Sequence, residues 1–93
     1  MISSFGDKET EKIWNQEYSR KLPREIQGTA LRKLIMIHRS VSLADLRMPP
    51  ANRLERLSGD REGQYSIRIN DQWRICFQWV DGNAQAVHIV DYH

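Results

Sequence analysis

The stretch QYSIRINDQWRICFQWVDGNAQAVHIV, residues 64–90, contains three segments in which apolar side chains recur at every second position. Because successive side chains of a strand point to opposite faces, this period of two predicts three β-strands. The letters NDQ between the first two segments are short enough for a tight hairpin, and Asp81-Gly82 suits a primed turn before the third. The sequence therefore predicts an antiparallel sheet in the second half of the chain.

The same alternation predicts which face of the sheet is buried. The side chains expected to face the core along the central segment are Trp73, Ile75, Phe77 and Trp79. Arg74 lies on the opposite face of that strand, so we expect its guanidinium to face a solvated groove or an anion. The alternative is an exposed arginine that pairs across the sheet with a carboxylate. The third segment, AQAVHIV, is partly apolar on both faces, which predicts a central or covered strand.

The first half of the chain has the period of helices. Apolar positions spaced by three and four predict an amphipathic helix over residues 8–19, with Asp7 as its N-cap. A second helix is predicted from Pro23 to about Ser40, and SLAD at residues 42–45 resembles a capping box. The prolines of MPPAN then stop helical structure, since proline donates no backbone hydrogen bond. The predicted fold class is α+β, two helices packed against an antiparallel sheet, in a single domain over residues 1–93.

Composition narrows the class of protein. The 93 residues are 40% hydrophobic and 28% charged, which fits one soluble globular domain. No apolar run is long enough for a signal peptide or a membrane span, so we expect a cytoplasmic protein with no membrane partner. The single cysteine, Cys76, excludes an internal disulfide and is interpreted as a small buried residue, since the sequence shows no base that would make it a thiolate.

The distribution of basic residues is more informative than the net charge of +2, which is too small to predict nucleic-acid binding. From position 39 onward the Lys/Arg positions are all arginine: Arg39, Arg47, Arg53, Arg56, Arg61, Arg68 and Arg74. Arginine presents a planar fork of donors that binds phosphate in a bidentate way, unlike lysine. The alternative is a set of ordinary surface ion pairs with the acids of the same region.

Three residues suited to stacking or proton transfer end the sequence: Asp91, Tyr92 and His93. Tyr92 could stack a base, and Asp91 and His93, two positions apart, would point the same way as an acid/base pair. His88 could join them as a metal ligand, but His88 and Asp91 are three apart and face opposite sides of a strand. The sequence therefore predicts no metal site. It also contains no glycine-rich phosphate loop, and no cofactor is expected.

Residues 49–82, PPANRLERLSGDREGQYSIRINDQWRICFQWVDG, and the final VDYH resemble the HigB toxins of the RelE/ParE superfamily, especially the branch that includes GraT. The resemblance covers nearly the whole chain. It implies a RelE-like fold and a type II toxin that cleaves mRNA in the ribosomal A site. It further implies a HigA-like helix-turn-helix antitoxin, through which alone the toxin would contact operator DNA.

The resemblance also assigns the site residues. Arg74 matches the strand arginine that contacts the scissile phosphate, Asp91 and Tyr92 match the terminal acid and aromatic, and His93 matches the last histidine. The implied reaction needs no metal, because the 2′-hydroxyl of the RNA attacks the neighbouring phosphate and leaves a cyclic phosphate. Histidine suits proton transfer at neutral pH better than aspartate, with usual pKa values of about 6.5 and 3.9, so His93 ranks slightly above Asp91 as the base.

Two positions depart from the family pattern. Related HigB toxins carry a histidine and a lysine where this sequence has Glu55 and Ser58. Glu55 therefore joins His93 and Asp91 as a candidate base. Arg53 and Arg56 could compensate for these departures as phosphate-binding residues, and Glu55 and Arg61 are further candidates for substrate binding.

The departures keep two other functions open. A toxin of the ParE type has the same fold but inhibits DNA gyrase and needs no residues for RNA cleavage. A degenerate toxin would act only as a corepressor with its antitoxin. Cleavage of a defined message on ribosomes, compared with inhibition of supercoiling, separates these functions.

Overall fold

A computed structural model describes residues 1–92 of the chain, so the predictions for His93 lie outside the described residues. The fold is α+β, as predicted, with two helices and four strands. In chain order these are α1 (Lys8–Trp14), α2 (Arg24–Arg39), β1 (Glu55–Arg56), β2 (Gln64–Arg68), β3 (Trp73–Val80) and β4 (Asn83–Asp91). The strands form one antiparallel sheet in the order β1-β2-β3-β4.

Helix α1 begins as predicted but ends earlier. The Asp7 carboxylate accepts a hydrogen bond from the Thr10 backbone N–H at 2.7 Å, which confirms the N-cap. The helix stops at Trp14, not at residue 19, because Gln16 adopts a left-handed conformation with φ 61°. The N–H groups of Gln16 and Glu17 then bond back to carbonyls of the last turn, at Ile13 and Lys12, and close the helix end.

Helix α2 runs over nearly the predicted range, with Pro23 just before its first residue. One face of α2 is apolar and faces the core. Its residues Ile26, Ala30, Leu34 and Ile37 are buried, and Leu31 is partly buried. The reciprocal hydrogen bonds of Ser42 and Asp45 confirm the capping box, which opens a short 3-10 helix at Leu43–Arg47. The prolines that follow do not exclude helical turns altogether, since Pro50–Asn52 forms one 3-10 turn.

The strand registers divide the sheet into two faces. Along β3, Ile75 and Phe77 are fully buried and Trp73 and Trp79 partly buried, which confirms the predicted core face. The opposite face of the sheet carries polar side chains that the pairing of β1 to β4 brings into adjacent rows: Glu55, Ser66, Arg68, Arg74, Cys76 and His88. We call this the polar face.

A bulge interrupts β4 and changes which of its side chains face the helices. Two residues, Ala86 and Val87, lie opposite Phe77, and Ala86 has a left-handed backbone with φ 52°. Ala84 faces the core before the bulge, and Val87 and Ile89 face it afterwards. The extra residue explains why both faces of this segment look apolar in the sequence.

The outer edge of β4 is covered by the first residues of the chain. Ile2 and Phe5 form single parallel bridges with Ala84 and Val87. This confirms that β4 is a covered strand. A glycine is required at position 6, because a Cβ there would lie 2.9 Å from the carbonyl oxygen of Ala86. No helix within residues 1–92 is long and apolar enough to cross a membrane.

Candidate active site

A polar groove lies beside the final residues of β4. It has a volume of about 290 Å³. The residues that line it are Arg53, Glu55, Arg68, Asn70, Asp71, Arg74 and Tyr92. Three arginines face two carboxylates in this set, so the groove carries an excess of positive charge suited to an anion. We call it the arginine groove.

Arg74, in the arginine groove, is far more buried than its sequence position suggests. Only 6% of the residue is exposed, although its side chain lines the groove. Its Nε donates to Ser66 Oγ at 2.8 Å, and its Nη2 donates to the carbonyl oxygen of Arg53 at 2.5 Å. The third nitrogen, Nη1, lies 3.7 Å from Glu55 Oε1. Arg74 therefore lines the groove and also pairs with a carboxylate, which combines the two alternatives.

This arrangement determines which part of the Arg74 guanidinium can meet a ligand. Nε and Nη2 are held from behind by Ser66 and by the carbonyl of Arg53, which leaves Nη1 directed to the Glu55 side of the groove. Glu55 is half-exposed and sits on β1 opposite Ser66. An incoming phosphate that binds Nη1 would meet the Glu55 carboxylate, so the two anions compete for one nitrogen.

The carbonyl that holds Arg74 is aimed by a strained turn. Arg53 has φ 45° and ends the Pro50–Asn52 turn in a left-handed conformation. The fully buried Asn52 side chain fixes this turn, since its amide donates to the carbonyl oxygens of Leu46 and Met48. Asn52 Oδ1 in turn accepts from Lys33 Nζ of α2 at 2.5 Å. Desolvation by burial lowers the pKa of Lys33. A chain of polar contacts thus links α2 to the back of Arg74.

Tyr92 covers Arg74 from the groove side. The Cζ atom of Arg74 lies 5.6 Å from the centroid of the Tyr92 ring, a distance typical of cation–π contact. The Tyr92 backbone N–H donates to the carbonyl oxygen of Gln72, which fixes the end of β4 against the β2–β3 turn. Because 41% of Tyr92 is exposed, its ring offers a surface on which a base can stack.

Asp91 lies beside this pair but projects differently. In the register of β3 and β4, Asp91 is opposite Trp73 and Val90 is opposite Arg74. Its carboxylate oxygens accept from Gln72 Nε2 at 3.2 and 3.1 Å. Asp91 and Tyr92 both line a second hollow of about 380 Å³, together with Arg61 and Val90. We call this the Arg61 hollow.

The structure brings only some of the predicted phosphate-binding arginines together. Arg53 lines the arginine groove and Arg61 lines the neighbouring hollow, so both are close to Tyr92. Arg56 pairs with Tyr65 and lies on the opposite side of β1 from Glu55, in a separate hollow with Arg47. Arg56 is therefore not brought to Arg74. His93 lies outside the described residues.

Several residues of the site were missed by reasoning from the sequence. Ser66 holds Arg74, and the arginine groove also includes Arg68, Asn70 and Asp71. The side chain of Arg68 pairs with Asp71. The alternation of side chains along the strands could have identified two of these residues, because it places Ser66 and Arg68 on the face that carries Arg74.

Within residues 1–92 no group of three or more histidine, cysteine, aspartate or glutamate side chains could hold a metal ion. Cys76 is fully buried next to the site, and desolvation raises the pKa of its thiol, which agrees with the interpretation of a buried structural cysteine.

Comparison with known families shows which family the chain belongs to. A model of the family described as the RelE-like toxin of the type II toxin-antitoxin system HigB matches residues 3–93. The chain belongs to this HigB family. The resemblance read from its sequence is confirmed.

Two relatives show how far the similarity extends. Toxin HigB-1 of Vibrio cholerae is 41% identical over 90 residues, which cover 96% of this chain and 95% of the relative. Endoribonuclease HigB of Proteus vulgaris is 30% identical over 93 residues, which cover both chains completely. The match to the Proteus vulgaris relative therefore spans the positions of the arginine groove and the end of β4.

Solved structures give the fold independently of sequence. The chain superposes on the YoeB-YefM complex from Staphylococcus aureus with a TM-score of 0.63 at 17% identity, covering 100% of this chain and 98% of that chain. A second structure, of the heterotetrameric YoeB-YefM complex from the same organism, gives a TM-score of 0.61 at 19% identity. At these identities the likeness concerns the fold alone, and it confirms the RelE-like architecture expected of a HigB toxin.

Proposed function

We propose that this HigB toxin is an endoribonuclease that cleaves mRNA on the ribosome. The observation that carries the proposal is the stacking of the exposed Tyr92 ring over the Arg74 guanidinium in a groove rich in arginine. An aromatic face binds an unpaired base and an adjacent guanidinium binds its phosphate, which is the combination that single-stranded RNA requires. The name of the Proteus vulgaris relative, an endoribonuclease, supports the same reaction.

The proposed reaction is an attack by a ribose 2′-hydroxyl on the adjacent phosphorus. A bond forms between the 2′-oxygen and phosphorus, the bond from phosphorus to the 5′-oxygen breaks, and the products carry a 2′,3′-cyclic phosphate and a 5′-hydroxyl. One proton leaves the 2′-hydroxyl and one reaches the departing 5′-oxygen. Alignment, stabilisation of the extra negative charge and proton transfer are the three requirements.

The side chains of this site meet these requirements in different ways. Nη1 of Arg74 binds a non-bridging phosphate oxygen, and because Ser66 and the Arg53 carbonyl hold the other nitrogens, little reorganisation is needed. Tyr92 stacks a base and so aligns the sugar. The candidate proton acceptors are His93, Asp91 and Glu55, with His93 preferred because the usual histidine pKa of about 6.5 suits neutral pH. The Arg53 and Arg61 side chains bind further phosphates, and Arg56, on the other side of β1, has no part in this step.

Glu55 has one of two roles that an isosteric change separates. Its carboxylate lies 3.7 Å from the nitrogen assigned to the phosphate. If Glu55 only competes with the phosphate, Glu55→Gln will speed cleavage, since the amide removes the competing charge. If Glu55 accepts the 2′-hydroxyl proton, the same change will slow cleavage by a factor of about 10² to 10⁴.

The proposal extends to the partners of the toxin. A helix-turn-helix antitoxin of the HigA type is expected to neutralise it and to provide the only contact with operator DNA. Membership in a family of type II toxins supports this pairing. Since the substrate is ribosome-bound mRNA, the proposed place of action is the cytoplasm.

Ribosomes programmed with a defined message test the proposal. We expect cut message with 2′,3′-cyclic phosphate and 5′-hydroxyl ends, in the presence of a chelator at a concentration that leaves ribosomes intact. Intact message together with inhibited DNA supercoiling would support a gyrase inhibitor instead. Intact message and normal supercoiling would leave only the role of a corepressor. Loss of cleavage in chelator alone would refute the metal-free reaction.

A further inference from the structure

A second arginine is held in place on the polar face, away from Arg74. Arg61 lies in the loop between β1 and β2, at the end of the short 3-10 helix Gly59–Arg61. Its side chain extends to β4. Its Nη1 lies 3.0 Å from His88 Nε2 and donates to Gln64 Oε1 at 3.4 Å. His88 has no role in the reaction proposed above, yet its contact with Arg61 joins segments that are far apart in the sequence.

The hydrogen bonds determine the tautomer of His88. Arginine has only donors, so Nε2 must accept and the ring proton must lie on Nδ1. That proton is donated to the carbonyl oxygen of Ala86 at 2.7 Å. His88 thus presents its Nε2 lone pair to Arg61.

The ring of His88 is also held by the backbone around it. Ala86 belongs to the bulge of β4, whose left-handed conformation directs its carbonyl to Nδ1. On the same side the backbone of Gly6 packs closely, since a Cβ at that position would lie 3.1 Å from Nδ1. Hydrogen bond and packing therefore leave a single ring orientation, which makes His88 a rigid acceptor.

Holding Arg61 by one nitrogen leaves the rest of its fork for a ligand. Both contacts use Nη1, so they do not consume the donors of Nη2 and Nε. Arg61 opens on the Arg61 hollow, which Val90, Asp91 and Tyr92 also line. The same Tyr92 lines the arginine groove. Tyr92 therefore stands between the groove that contains Arg74 and the hollow that contains Arg61.

We propose that Arg61 binds the phosphate on the other side of the nucleotide that stacks on Tyr92, and that His88 is the positioning residue that orients Arg61 for this contact. The inference rests on the proposed cleavage of RNA. A nucleotide within a chain has one phosphate on each side of its sugar. A base stacked on Tyr92 thus places one phosphate in the arginine groove, at Arg74, and the other in the Arg61 hollow. The partner of Arg61 is the second phosphate, and it needs no particular base.

Messages with one neutral linkage test this inference. A methylphosphonate replaces, in separate messages, each of the two linkages that flank the scissile one, and single-turnover cleavage is measured on programmed ribosomes. For the wild-type toxin we expect one of the two replacements to raise the half-saturating toxin concentration by a factor of about 10 to 100, the range of a charge-assisted contact. The cleavage rate at saturation should change much less, because the scissile phosphate is unaltered.

Variants then assign the effect to Arg61 and His88. Arg61→Gln should raise the half-saturating toxin concentration for the unmodified message by a similar factor. In this variant the neutral linkage should cause no further increase. His88→Leu should act in the same direction with a smaller effect, and His88→Gln, whose side-chain oxygen can accept from Arg61, should restore part of the loss. His38→Gln is the matched control, since His38 is equally half-buried and accepts a hydrogen bond from the backbone of Ile2 far from this hollow.

The outcomes separate this inference from the proposed function. A wild-type toxin that does not cut even the unmodified message refutes the nuclease and the second phosphate site together. A wild-type toxin that cuts well, but whose response to the neutral linkage is the same in Arg61→Gln, refutes the second phosphate site alone. Equal losses in His88→Leu and His38→Gln would show a general loss of folding and would remove His88 as a positioning residue.

Discussion

The two faces of the sheet are made by the same strands but are stabilised in different ways. The face toward the helices is apolar, and Ile67, Ile75, Phe77 and Val87 are fully excluded from water there. The polar face is also largely covered, yet what it buries is the guanidinium of Arg74 and the hydroxyl of Ser66. One face gains stability from the hydrophobic effect, and the other must satisfy every donor that it removes from water.

Because of this difference, the side chains on one face of a strand contribute mainly to stability and those on the other face mainly to the reaction. A core side chain contributes to the free energy of folding in proportion to the apolar area it buries, with little dependence on direction. A buried guanidinium contributes little net stability, but its partners fix its orientation closely. Among the described residues, no buried side-chain nitrogen or oxygen lacks a hydrogen-bond partner. We therefore expect changes on the core face to unfold the protein and changes on the polar face to impair cleavage in a protein that still folds.

The largest effect is expected from Phe77→Ala on the core face. Removing this fully buried ring should lower the free energy of unfolding by about 3–5 kcal/mol, because it leaves a cavity. Gln78→Ala, the exposed next residue, is the control and should change it by less than about 0.5 kcal/mol. Urea unfolding followed by circular dichroism measures both. A loss below about 1 kcal/mol in Phe77→Ala would contradict the assignment of this face as the core.

Arg74→Lys should give the next largest effect, on cleavage. We expect the rate of message cleavage to fall by a factor of about 10² to 10³, as when one donor to the transition state is removed. Lysine keeps the charge but cannot bond Ser66, the Arg53 carbonyl and a phosphate together. Arg32→Lys on α2 is the matched control. Normal cleavage by a folded Arg74→Lys protein would remove Arg74 from the mechanism.

Tyr92→Ala should have a smaller effect on cleavage and little effect on folding. The loss of base stacking, worth about 1–3 kcal/mol, predicts a decrease of roughly 5- to 150-fold, and Tyr92→Phe should recover most of it. Stability should hardly change, since the ring is 41% exposed. Deleting Tyr92 and His93 should abolish cleavage, because it removes the preferred proton acceptor together with the stacking ring. A truncated protein that is destabilised but still cuts message would reverse this assignment.

The smallest effect is expected from Ser66→Ala, compared with Cys76→Ala. The two residues are fully buried cross-strand neighbours on the polar face, and Ser66 has a direct hydrogen bond to Arg74. Each change should cost about 1 kcal/mol or more of stability, but we expect only Ser66→Ala to slow cleavage, by a factor of about 5 to 10. Thermal melts and cleavage assays on both variants decide this. Equal cleavage by the two proteins would mean that Ser66 is structural only.

The features that were predictable from the sequence depend on local patterns. Alternation located β2 and β3 and placed Arg74 opposite the aromatic stripe, because strand geometry relates neighbouring residues. The Asp7 cap and the Ser42–Asp45 capping box were found for the same reason, since each joins two residues only three positions apart. The identity of the site residues came from the resemblance to the HigB family, and the same resemblance supplied the fold expected of them.

The features that were missed depend on long-range contacts or on unusual backbone. The burial of Arg74 depends on a hydrogen bond to the carbonyl oxygen of Arg53, and no local pattern in the sequence predicts that contact. The left-handed Gln16 and Ala86 ended α1 and shifted β4, although glycine or asparagine usually occupies such positions. Nor did the sequence suggest that His88 orients Arg61, since the two are 27 residues apart.

The shortness of β1 has a consequence for the free toxin at high concentration. A long unpaired strand at the border of a sheet is a template on which further copies of a chain can polymerise. Here one border is the two-residue strand Glu55–Arg56, exposed and charged with both signs, and the other is screened by Ile2 and Phe5. We therefore expect the toxin, when released from its antitoxin, to resist growth into fibres, because neither border in residues 1–92 presents a long apolar strand for another copy to extend.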